Sequence, residues 1–182
     1  MVKHWNEELI EMENILDKLK GGDRRSTGKS DEVVTDVLAD PDLFDALFRG
    51  ILAPDPVIRM RAADAVEKIS AARPEYLRPY KRMLVEQVAG IEQQEVRWHV
   101  AQMLPRLDWS QEEQTAIVEI LMGYLDDESK IVKTFTMQAL ADFAERDANL
   151  RPRVIELLKE LTETGSPAMK SRGRKLLKRL GD

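Results

Sequence analysis

Residues 58–69, Ile58-Arg59-Met60-Arg61-Ala62-Ala63-Asp64-Ala65-Val66-Glu67-Lys68-Ile69, decide the fold, because their pattern returns three times. Apolar or small residues stand at the first, fifth, eighth, ninth and last positions. They recur as Val96, Val100, Met103, Leu104 and Leu107, then as Val132, Thr136, Ala139, Leu140 and Phe143, and finally as Met169, Gly173, Leu176, Leu177 and Leu180. At about 100° per residue these positions share one stripe of a helix. The second position is basic each time: Arg59, Arg97, Lys133 and Lys170. The copies start at 58, 96, 132 and 169, so the spacings are 38, 36 and 37. A near-constant period of this length marks stacked helical hairpins that share a continuous core. The spacing predicts an all-α chain, a right-handed α-solenoid of about four helix-turn-helix units near 41–72, 75–107, 110–145 and 149–181.

Upstream, residues 1–20 read as an extra N-terminal amphipathic helix, with Trp5, Leu9, Met12, Leu16 and Leu19 on one stripe. Folding back over the first unit and pairing in a coiled coil are both open to it. Residues 21–30, polar and glycine-containing, read as a flexible linker. The array fills 31–182 and opens with a short helix over 31–39. Its boundaries carry separate signals. Asp40-Pro41 starts a helix with a capping acid and a proline whose missing amide costs nothing there. Pro56, Pro79, Pro152 and Pro167 fall in expected first turns, and Ser110-x-x-Glu113 is a capping box.

The units resemble HEAT repeats. The residues that carry the likeness are Asp55-Pro56-Val57-Ile58-Arg59 and the apolar spacing after them. The resemblance implies that Asp55 and Arg59 take part in a ladder of bonds between neighbouring units. It also implies that the second helix of each unit lines a concave groove. Partner-binding residues are then Met60, Asp64, Glu67, Trp98, Gln102, Gln138, Lys175 and Lys178, on the arc opposite the core stripe. Along that arc Asp64, Gln102, Gln138 and Lys175 run from acidic to basic, a gradient suited to orienting an elongated partner.

Other features set limits on function. The chain has 182 residues and a net charge of −5, so nothing draws it globally to nucleic acid or anionic membrane. It has no cysteine, which excludes disulfides, thiolate catalysis and cysteine-built metal sites. No apolar run approaches the roughly 20 residues of a membrane span, and the expected location is the cytoplasm. Gly28-Lys29-Ser30 resembles the end of a phosphate loop, but Asp23 stands where its first glycine belongs and no strand pattern precedes it. His4 and His99 have no metal-ligand spacing, and Glu95 with His99 reads as a helix-surface pair. No catalytic residue, cofactor or metal is expected. The last helix is basic through Lys170, Arg172, Arg174, Lys175, Lys178 and Arg179. The leading reading is a noncatalytic scaffold that binds a protein partner on its concave face. A nucleic-acid-binding or DNA-repair module using the basic last helix is a second reading, and a helper subunit of an enzyme complex a third. The partner's identity and the oligomeric state stay open.

Overall fold

The computed structural model describes residues 15–21 and 26–181, and every regular element among them is helical. The chain divides into two compact units, one through Val100 and one from Ala101. Trp5, Leu9 and Met12 of the expected N-terminal helix lie outside the described residues.

In the first unit, Ile15, Leu16 and Asp17 close a helical stretch whose neighbour Leu19 is fully buried. Helix α1 (Ser30–Ala39) follows. A 3-10 turn (Pro41–Leu43), capped by Asp40, leads into α2 (Phe44–Gly50). Helix α3 (Pro56–Ala72) is capped by Asp55, whose carboxylate accepts from the Val57 amide at 2.7 Å. Both α1 and α2 pack on α3. The next hairpin departs from a plain helix. Pro74–Tyr80 is 3-10, α4 (Lys81–Met83) is a single turn, and Leu84–Val88 is a π turn. Pro79 has no amide to donate, so an α-helical ladder cannot run through it. Helix α5 (Gln94–Met103) holds the boundary between the units.

In the second unit a 3-10 turn (Leu104–Arg106) precedes α6 (Gln111–Tyr124). Ser110 and Glu113 form the reciprocal capping box: Glu113 N donates to Ser110 Oγ at 3.2 Å and Ser110 N to Glu113 Oε2 at 2.8 Å. Helices α7 (Lys130–Arg146), α8 (Arg151–Thr164) and α9 (Pro167–Leu180) complete it, with Ser129 and Ser166 capping α7 and α9. Helix α9 packs on both α7 and α8. Gly173 permits this, because a Cβ there would run into Thr162 Oγ1 of α8.

The stripe positions are buried in all four copies, with Leu177 alone half-exposed. The Arg59 bonds differ from the ladder the resemblance implies. Asp55 is occupied as a cap, while Arg59 donates to the Ala53 and Pro54 carbonyls and, at 3.0 Å, to Gln93 Oε1. Gln93 in turn donates to the Pro56 carbonyl at 2.9 Å, tying α3 to the start of α5. Among the described residues no helix is long and apolar enough to cross a membrane.

Candidate functional site

The arc opposite the core stripe of α3 is not an open groove wall. Met60 is 6% and Asp64 9% exposed. Helix α1 and the residues just ahead of it cover them. The fixing point is Arg61, itself 2% exposed. Its guanidinium donates to the carbonyls of Leu19 (2.8 Å), Lys20 (3.3 Å), Gly21 (2.5 Å) and Ser26 (3.1 Å). A buried guanidinium is tolerable only where its donors are met. Gly28 completes the wrap at φ +57°, where a Cβ would lie 2.6 Å from Arg61 Cζ. The described part of 21–30 is therefore bound to α3. Lys29, the lysine of the phosphate-loop likeness, is exposed and sits 3.5 Å from Glu32. Its chain neighbour Gly28 serves Arg61 instead.

Asp64 anchors α1. Ser30, fully buried at the start of that helix, donates its hydroxyl to Asp64 Oδ2. Lys68 reaches the same oxygen at 2.8 Å and Asp31 at 2.7 Å. Burial pulls the Lys68 pKa down, but the hydrogen bonds to Asp31 and Asp64 outweigh it and leave the ammonium above its ordinary value.

Beside this anchor lies a cavity of about 280 Å³ within the first unit. Helix α3 supplies Met60, Arg61 and Asp64, and α5 supplies Glu95, Trp98 and His99. Ser26 and Thr27 close one side. The sequence reading of Glu95 and His99 as a surface pair is corrected here, since each is 8% exposed. His99 Nε2 lies 3.9 Å from Asp64 Oδ1, and the Trp98 ring stands edge-on to the imidazole at 5.6 Å. Trp98 is half-exposed at the rim. Arg61 and His99 occupy the same position of the repeat, next to the Met60 and Trp98 column, so the register itself carried the signal for them.

A second cavity, about 430 Å³, lies within the second unit. It is lined by Gln102 and Gln138, by Phe135, and by charged groups of α7 and α9. Arg172 donates to Gln138 Oε1 at 2.7 Å, and Gln138 donates to Asp142 at 2.8 Å. Arg179 pairs with Asp142 and Glu145, each at 2.7 Å. Two of the six cations of the last helix are thus bound internally. Lys175 and Lys178 are exposed, Glu67 is half-exposed, and none of the three lines either cavity.

No group of three or more histidine and carboxylate side chains among the described residues is arranged to hold a metal ion. No family model, curated protein or solved structure matches the chain.

Proposed function

We propose that the chain is a noncatalytic protein-binding scaffold whose hairpins stack as a right-handed HEAT-like solenoid, with the partner seated on the second-helix face around Trp98. One observation supports this most. The repeat register assigns Met60, Asp64 and Trp98 to the recognition face, and these three residues share one cavity although they come from different hairpins. Gln102 and Gln138, from the same register column, share the other. A tryptophan at the rim of a recess is the usual form of an interface anchor. Quantitative capture from native lysate tests the proposal. Trp98→Ala and Gln138→Ala, each checked for an unchanged melting curve, are expected to lose prey that the unaltered chain retains. Full retention by both variants overturns it.

A second reading, nucleic-acid binding, is favoured by Arg174, Lys175 and Lys178, which stay exposed on α9. Its test is given below.

A further inference from the structure

One position of the repeat is met differently in the two units. Arg61, His99, Phe135 and Arg172 stand three residues after the start of their copies. At Arg61 the guanidinium is covered, because residues before α1 cross α3 and give it the carbonyls of Leu19, Lys20, Gly21 and Ser26. Arg172 is half-exposed and donates through Nη1 to Gln138 Oε1 at 2.7 Å. A guanidinium carries five N–H donors, so Arg172 keeps most of its own for a further acceptor, and it lines the cavity of the second unit. The charge of that recess is positive. Arg146, also in the lining, donates to the carbonyls of Asp142 and Pro105, which are neutral. Asp142 and Glu145 are both paired with Arg179. Even with Arg106 left aside, three guanidinium groups stand against two carboxylates, a surplus of one positive charge. Phe135, half-exposed, adds an apolar wall. At about 430 Å³ the recess falls within the ~300–1,000 Å³ of ligand sites, with room for a side chain and the backbone that carries it.

From this geometry we infer that the recess of the second unit receives an acidic side chain of an extended partner segment, its carboxylate forked on the Arg172 guanidinium. Guanidinium and carboxylate match as planar forks, and one carboxylate balances a surplus of one charge. A phosphate dianion would exceed that surplus and would meet Asp142 and Glu145 in the same lining. The first unit already holds such an arrangement within the chain, where the segment before α1 brings the acceptors of Arg61. The inference rests on the scaffold reading and names the chemistry its partner brings.

The test follows the Gln138 side-chain amide resonances of the full chain while acetyl-Ala-Glu-Ala amide is added at constant ionic strength. Saturable shifts are expected, absent with the neutral isostere acetyl-Ala-Gln-Ala amide. Arg172→Gln is expected to weaken binding at least about tenfold, the loss of a charge-assisted bond, with the melting curve unchanged. Arg172→Lys keeps the charge and loses the fork; it is expected to bind less tightly than the unaltered chain, and it gives the reading if Arg172→Gln melts early. Equal response to the glutamine peptide, unchanged binding by either variant, or no response at all overturns the inference. So does a larger response to inorganic phosphate or a thymidine dinucleotide, which would mark a phosphate site. Lysate capture that survives Arg172→Gln but fails with Trp98→Ala would keep the scaffold and remove the acid pocket. Binding of the glutamate peptide without any lysate capture would do the reverse.

Discussion

At the scale of single residues, the arrangements that define this protein are polar groups taken out of water and matched one by one. Arg61 is met by carbonyls, Asp64 by a hydroxyl and an ammonium, and Tyr80 by Asp45. The Tyr80 hydroxyl donates to Asp45 Oδ1 at 3.0 Å, while Arg49 Nε reaches the other oxygen at 2.7 Å. Its ring stacks on Phe48 at 4.5 Å. Burial, then the hydrogen bond and charge of Asp45, push the phenol up to about 12, against the opposing charge of Arg49. Since an unfolded tyrosine titrates near 10, the fold favours the protonated form. The stabilisation is full below pH ~10 and is lost as pH rises through about 12. Ultraviolet titration of tyrosinate should therefore show a late step near 12 that Tyr80→Phe removes. An unchanged titration curve in that variant would show that Tyr80 ionises normally.

At the scale of elements, the repeat stripe and the caps made the hairpins legible in advance. Ile58, Val96, Val132 and Met169 are all buried as the period required, and Ser110 with Glu113 starts α6 as its capping box foretold. The hairpin containing Pro79 was less legible. Pro79 was expected in a first turn, but it lies inside the 3-10 stretch, where its missing donor keeps the segment from running as one α-helix. The stripe makes a graded prediction about stability. Leu104 and Leu140 are fully buried at the same repeat position where Leu177 is half-exposed. Leu104→Ala and Leu140→Ala should each cost about 2–5 kcal/mol in chemical denaturation, and Leu177→Ala clearly less. A loss below about 1 kcal/mol for Leu104→Ala would remove it from the core.

At the scale of the whole molecule, charge decides between the two readings of function. The net charge is −5, and Arg172 and Arg179 are tied to Gln138, Asp142 and Glu145. Arg174, Lys175 and Lys178 are left exposed on α9. Three phosphate contacts would give a salt slope of about −2.7 on duplex DNA, from roughly 0.9 per contact. With acidic surroundings and no interleaved aromatics for stacking, only weak, nonspecific binding is expected in a gel shift at near-physiological salt. Submicromolar binding lost on neutralising Arg174, Lys175 and Lys178 would favour nucleic acid over a protein partner.

The sequence by itself determined the helical hairpins, their boundaries and their buried stripe, because period, caps and prolines act through neighbours along the chain. It also placed Met60, Asp64 and Trp98 on one arc of the second helices. What covers that arc was not legible. Polar, glycine-containing residues before Ser30 look like a linker, since nothing local shows that their carbonyls will surround Arg61 more than thirty residues away. Glu95 and His99, one turn apart, look like any surface pair until α3 stands beside them. Tertiary packing alone decided that these side chains leave water together, and the cavity they line exists only once that packing has formed.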